Sequence, residues 1–331
     1  MSQDLKKMVM EKIQGDLGEI EESLRRNLNA NLDLVNEIAG HLLFANGKRL
    51  RPLLMIFSAK MCGYKERSKT PSLVDFASVF EYLHAATLLH DDVIDEAEMR
   101  RGKRAAHKIW EAAKVVLTGD FLLAKSLSIA TKTENLEIIS TISRITEEMS
   151  QGEIEQLNQK GNADLSEEEY LKIIRRKTAV LIEGACRCGA LLAKAPKEKE
   201  DALFEYGHHL GMAFQMADDL LDYTSDVDTL GKNPGADLRE GKLTLPLIKT
   251  LQRASKKDKD TIKKMIQASD FDEEEFERLV VMIHEYKGIE YTNQKALAHV
   301  KSAKSCLEIF EQSDQKELLT MLADYSIKRK V

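Results

Sequence analysis

The stretch Leu88-Leu89-His90-Asp91-Asp92-Val93-Ile94-Asp95 decides how the chain is read, and Met216-Ala217-Asp218-Asp219-Leu220-Leu221-Asp222 repeats its pattern. Each places two adjacent aspartates, and a third four residues after the first, inside an apolar run of helical period. Residues four apart on a helix are neighbours on one face, with Cβ atoms roughly 5–6 Å apart. Asp91 with Asp95, and Asp218 with Asp222, therefore form two carboxylate pairs. A mostly buried apolar helix that carries such charges is costly unless they meet counter-charges. No run of Lys or Arg lies inside either segment, so a hard divalent metal is the economical partner. Mg²⁺ takes oxygen ligands and is typically held by a few carboxylates together with substrate phosphates. A phosphate or diphosphate is the expected ligand.

Around these motifs the composition is that of a helical protein. The chain has 331 residues, 43% hydrophobic and 31% charged, and only 5 Pro and 17 Gly interrupt segments rich in Ala, Leu, Glu, Lys and Met. Those residues favour helices, and no Pro/Gly/Ser-rich linker divides them, so the expectation is an all-α fold with a single domain over residues 1–331. The net charge of −6 provides no global basic field for nucleic acid. Cys62, Cys186, Cys188 and Cys306 include no C-x-x-C pair and read as buried free thiols of a reducing cytoplasm. No segment reaches the roughly 18 apolar residues of a membrane span, and Met1-Ser2-Gln3-Asp4-Leu5-Lys6-Lys7 does not read as a signal peptide. A peripheral contact with lipid is compatible with that reading.

The apolar positions Ile13, Leu17, Ile20 and Leu24 predict an opening helix. A second helix should close near Asn46-Gly47, and Lys48-Arg49-Leu50-Arg51-Pro52 should open the third. Ser72 with Asp75 reads as a helix start, from which a helix runs through Asp95 and stops at Gly102. Further helices are expected over 115–130, 134–158, 166–193, 201–223 and 243–253, with two or three more after Lys259. The polar stretch 254–277 reads as a solvated connection and helix start.

One D-D-x-x-D motif alone reads most simply as a solvated face. Two copies in apolar surroundings do not, and six carboxylates gathered without metal would repel one another. Basic residues lie beside them: Lys48 and Arg51 share a helix face, and Arg100-Arg101 follow the first motif closely. Arg suits bidentate grip on phosphate and Lys a point contact. With Gly119-Asp120, Lys177-Thr178, Phe214-Gln215, Gly231-Lys232 and Gly241-Lys242-Leu243-Thr244-Leu245-Pro246, these pieces resemble the trans-isoprenyl diphosphate synthases, of long-chain type, over about Asn46 to Pro246.

The resemblance implies a homodimeric prenyltransferase, a helical bundle around a deep central cavity (the isoprenoid synthase fold). It implies about three Mg²⁺ per site, bridging carboxylate and diphosphate oxygens. Asp91 and Asp95 would bridge two of them, Asp218 would carry another, and Asp219 and Asp222 would support it. Arg100, Lys177, Thr178, Gln215, Lys232 and Lys242 would contact the allylic diphosphate. Lys48, Arg51, His84 and Arg101 would hold isopentenyl diphosphate; His84 lies seven residues before Asp91, on the same helix face. Small residues at Ala86 and Thr87, where relatives that make short products carry bulk, let the growing chain pass toward Tyr82. A long-chain, quinone-type product follows.

Other readings remain open at this stage. They are a geranylgeranyl-type synthase, a terpene cyclase, a non-catalytic subunit, and a metal phosphohydrolase signalled by His90-Asp91. His208 and His209 read as ordinary helix residues.

Overall fold

The computed structural model describes residues 2–45, 47–65, 71–224, 235–268 and 271–327. The fold is all-α, and it divides into two compact units. The first comprises Met1–Glu147, Leu181–Gly207 and Cys306–Leu322. The second comprises Glu148–Val180, His208–Ser305 and Ala323–Val331.

In the first unit, α1 (Ser2–Leu28), α2 (Asp33–Leu43) and α3 (Leu50–Met61) precede α4 (Leu73–Ile94), which ends in the first acidic motif. Ser72 caps α4 by accepting the backbone N–H of Asp75, as its position predicts. Asp75 in turn receives Ser23 at 2.7 Å and Asn27 at 2.7 Å from α1. Phe76, Phe80 and Tyr82 are fully buried along α4, and burial of such rings contributes about 1.5–3 kcal/mol each. α4 packs most extensively on α5 (Ala112–Thr131) and also on α1, α2 and α3.

Between α4 and α5 the structure departs from expectation. The helix stops at Ile94, and Met99–Arg100 pairs with Lys103–Arg104 in a small antiparallel hairpin. Its turn residues, Arg101 and Gly102, have φ of 52° and 75°, the left-handed backbone that tight hairpins require.

The second unit holds the end of α6 (Leu136–Asn158), α7 (Glu167–Ile174), a π-helical turn at Arg175–Ala179, and the part of α9 (Lys197–Thr224) that carries the second acidic motif. The segment expected as one helix over 166–193 is therefore α7, the π turn and α8 (Val180–Leu192). After α10 (Ala236–Arg239) come α11 (Leu245–Arg253), α12 (Lys256–Ala268), α13 (Glu273–Glu285), α14 (Gly288–Cys306) and α15 (Asp314–Ile327). The stretch expected as a solvated connection thus forms α12 and the start of α13. Asp272 and Glu275 close a capping box there, and Ile262, Ile266, Phe271 and Phe276 bury into this unit's core.

Candidate active site

Each unit assembles one group of the residues singled out above. In the first unit, Arg49 is only 2% exposed and has φ of 50°, so it turns the chain into α3 with its side chain directed inward. Its guanidinium donates to Glu81 at 2.7 Å, to Glu21 at 2.6 Å, and to the carbonyl of Leu43. That anchor fixes the backbone between exposed Lys48 and half-buried Arg51. Arg101 reaches back to the carbonyl oxygens of Leu42 and Ala45, at 3.3 and 3.5 Å.

His84, half-buried on α4, sits within this basic group. Burial pushes its imidazole well below the ordinary range, and the charges of Arg51, Arg101, Arg100 and Arg49 push the same way. A neutral imidazole amid guanidinium groups can still donate one N–H to a diphosphate oxygen while the arginines supply the charge. Arg51, His84 and Arg101 are brought together as expected; Arg49 was not among the expected residues.

Two to three turns beyond His84 stand the acids. Asp92 is 1% exposed, and Arg100 donates to it through Nε at 2.8 Å and through Nη2. Asp91, in the last turn of α4, and Asp95, the residue that follows its end, are half-buried. His90 is held by the carbonyl of Val116 on α5, at 3.0 Å. A Cβ at Gly119 would lie 2.2 Å from its ring nitrogen, so this glycine is what admits the imidazole. Ala86 is fully buried and Thr87 half-buried. The hydroxyl of fully buried Tyr82 donates to the carbonyl of Leu24 on α1, at 2.6 Å.

In the second unit two glycines set the π turn. A Cβ at Gly152 of α6 would lie 2.7 Å from Arg176 Cβ, and one at Gly211 of α9 would lie 2.5 Å from Ala179 Cα. α6 and α9 therefore close on the turn, and its residues meet theirs one helical turn later. Lys177 donates to Glu153 at 2.5 Å and to Gln156 at 2.7 Å. Thr178 donates to Gln215 at 2.8 Å, and Gln215 donates to Asp219 at 2.8 Å. The other oxygen of Asp219 accepts the hydroxyl of Tyr170. π turns within helices recur at functional sites, but no spacing in the sequence announces this one.

Asp219 and Asp222 are 2% and 1% exposed, and Asp218 is half-buried. Burial raises the carboxyl of Asp219 well above the usual range, and the nearby charges of Asp237 and Asp218 raise it further, against the hydrogen bonds from Tyr170 and Gln215. Asp222 accepts the backbone N–H of Asp237 at 3.1 Å. Lys242 pairs with Glu240 at 2.7 Å. Lys232, expected at the allylic diphosphate, lies outside the described residues, as do Asn46 and Gly231.

Crowded buried carboxylates of this kind fit a divalent cation, which would relieve both desolvation and mutual repulsion. Among the described residues no group of three or more His, Cys, Asp or Glu could by itself hold a metal ion. Mg²⁺ does not need such a cage when waters and substrate phosphates complete its shell. The four cysteines are free; Cys186 and Cys188 are buried as expected, but Cys62 and Cys306 are only half-buried.

The family model described as polyprenyl synthetase matches residues 32–283. The chain belongs to the polyprenyl synthetase family. It is 34% identical, over 99% of both chains, to the all-trans-nonaprenyl-diphosphate synthase (geranyl-diphosphate specific) of Rhodobacter capsulatus. It is 33% identical to the octaprenyl diphosphate synthase of Escherichia coli, covering 95% of this chain and 96% of that protein. The crystal structure of a Caulobacter crescentus polyprenyl synthase, complexed with calcium and isoprenyl diphosphate, matches with a TM-score of 0.91 at 35% identity, covering 98% of this chain and 97% of that one. Membership in this family makes the protein a prenyltransferase, and the phosphohydrolase reading of His90-Asp91 falls. The helical fold of the synthases is the one expected. No helix among the described residues is long and apolar enough to cross a membrane.

Proposed function

We propose that this polyprenyl synthetase lengthens an allylic diphosphate by successive isopentenyl diphosphate units and releases a long-chain all-trans polyprenyl diphosphate. Supporting the product class are the relatives named octaprenyl and nonaprenyl diphosphate synthase, which align over nearly the whole chain. The small residues Ala86 and Thr87 before the first acidic motif support it too. The observation that carries the chemistry is the second motif itself, which holds Asp219 and Asp222 at 2% and 1% exposure with Asp218 half-buried beside them.

In this reading Asp91, Asp95 and Asp218 would hold about three Mg²⁺ ions, with Asp219 and Asp222 in support. When bound, the ions neutralise charge that develops on the departing diphosphate. Arg100, Lys177, Thr178, Gln215, Lys232 and Lys242 grip that group. Lys48, Arg51, His84 and Arg101 hold isopentenyl diphosphate so that its double bond meets the allylic carbon. The carbon–oxygen bond breaks, the double bond attacks the allylic cation, and a proton leaves to the released diphosphate. The product is an allylic diphosphate one C5 unit longer. Pre-organised charge, set before the reaction begins, is the largest catalytic contribution in such a site.

We take the protein to act as one catalytic domain, since no linker-like stretch divides the chain, in the cytoplasm, in keeping with its free thiols, and as a homodimer, which the family resemblance implies. The test is incubation with farnesyl diphosphate, labelled isopentenyl diphosphate and Mg²⁺, followed by separation of the products. Labelled polyprenyl chains are expected, with none in excess EDTA. Full activity in EDTA would rule out the metal-dependent reading.

A further inference from the structure

We infer that Tyr170 is a positioning residue for the second acidic motif, which sets the Asp219 carboxylate through its hydroxyl and thereby governs how tightly that motif takes a divalent ion. The inference rests on the proposed metal-binding role of Asp218, Asp219 and Asp222. No motif of the sequence singles out Tyr170.

The geometry is a short relay. Thr178 donates to Gln215 at 2.8 Å, Gln215 donates to Asp219 Oδ1 at 2.8 Å, and Tyr170 donates to Asp219 Oδ2. Both oxygens of a carboxylate that is 2% exposed are thus engaged. Two donors on opposite oxygens fix the plane of the group; one donor leaves it free to rotate. Tyr170 is itself held from two sides. It is 2% exposed within the apolar core of this unit, and it sits in the first turns of α7, whose start is set by the Ser166–Glu169 capping box.

The relay also joins two proposed duties. Thr178 and Gln215 belong to the expected diphosphate contacts, and Asp219 to the metal set, so anything that shifts Thr178 is transmitted to the carboxylate. Partners that orient a metal's carboxylates typically change metal affinity by 10–100-fold when removed. A phenol that merely filled space in the core would have no such effect.

The experiment uses the full-length protein and Tyr170→Phe, which removes one oxygen atom and preserves the ring. Mn²⁺ binding is followed by electron paramagnetic resonance in the presence of inorganic pyrophosphate, where no turnover occurs, alongside thermal melting of the metal-free protein. The expected result is Mn²⁺ affinity about tenfold or more below wild type. In an Asp219→Asn background the same substitution should add little, because its effect passes through that carboxylate. Unchanged Mn²⁺ affinity in Tyr170→Phe, with or without a lower melting temperature, would overturn the positioning role alone. Wild-type protein that takes up no Mn²⁺ with pyrophosphate would overturn the metal-binding reading and this inference with it. An equal loss of affinity in the Asp219→Asn background would show that Tyr170 acts elsewhere, and would also overturn it.

Discussion

The two acidic motifs are nearly the same in sequence and differ in what surrounds them. The middle acid of the first, Asp92, is buried against a cation of the chain itself, the guanidinium of Arg100. The middle acid of the second, Asp219, is buried against a phenol and an amide, both neutral donors. Charge in the first motif is partly balanced before any ligand arrives. In the second, burial and the charges of Asp237 and Asp218 push the carboxyl of Asp219 up. Identical spacing therefore does not mean identical duty. A repeat of letters fixes which carboxylates share a face, while the neighbouring elements decide how much charge is left for an incoming ion.

The largest effect expected from this difference is on turnover. Asp91→Ala removes a proposed ligand, and loss of such pre-organised charge stabilisation should lower kcat by about a thousandfold or more. Asp92→Asn removes the partner of Arg100 instead, and should cost about 10–100-fold, as for groups that orient a ligand. Single-turnover rates at saturating Mg²⁺ distinguish the two. Equal losses would erase the division between ligand and support.

Next in size is the buried ion pair that anchors the basic segment. Arg49 and Glu81 are 2% and 3% exposed, and truncating one partner leaves the other charge buried. Arg49→Met should lower unfolding free energy by about 3–5 kcal/mol, measured by denaturant titration. Arg49→Met with Glu81→Leu should recover part of that loss. No recovery in the double variant would mean that the cost lies in the hydrogen bonds Arg49 gives to Glu21 and to the carbonyl of Leu43, and not in the orphaned charge of Glu81.

Much of this was legible in the sequence, for identifiable reasons. The helices follow from apolar periodicity, and the α4 cap follows from Ser72 and Asp75, because both depend on neighbours in the chain. The two carboxylate pairs follow from spacing alone. What escaped depends on contacts distant in sequence. The π turn at Arg175–Ala179 is held by Gly152 and Gly211, on two other helices. The hairpin at Met99–Arg104 needs a left-handed Arg101, a residue with no particular preference for that backbone. Tyr170 and Arg49 sit in ordinary helical and basic contexts. The capping box at Asp272 and Glu275 is written in the sequence, but the lysine and acid runs around it suggest only solvation.

Product length provides a smaller test, and a sharper one for the first unit. If Ala86 faces the growing chain, Ala86→Phe should shorten products sharply while stability changes little. If its full burial reflects packed neighbours, the added ring should cost about 1–3 kcal/mol from overpacking and leave product length unchanged. Chromatography of the products and a melting curve, taken on the same preparation, separate these outcomes. Unchanged length would refute the assignment of α4 as a wall of the elongation path.

The smallest expected effect sets one histidine of each unit against the other. His84 is kept neutral by burial and by four arginines. His299 is pushed down to about 4 by burial, then by His209, His208 and Lys295. Both would titrate near 6.5 in the unfolded chain. As pH falls below about 6.5 the unfolded chain takes up protons that the folded chain refuses, so stability present above that pH is progressively lost. For His299 the loss runs down to about 4. The Nδ1 atoms of His209 and His299 are 3.0 Å apart, so one ring must donate while the other accepts, and protonating both removes the acceptor. His299→Asn should therefore flatten the decline of melting temperature between pH 7 and pH 5, and His84→Gln should flatten it separately. A decline as steep in His299→Asn as in wild type would leave the arginine-ringed imidazole of the first unit as the dominant acid-sensitive group of the two.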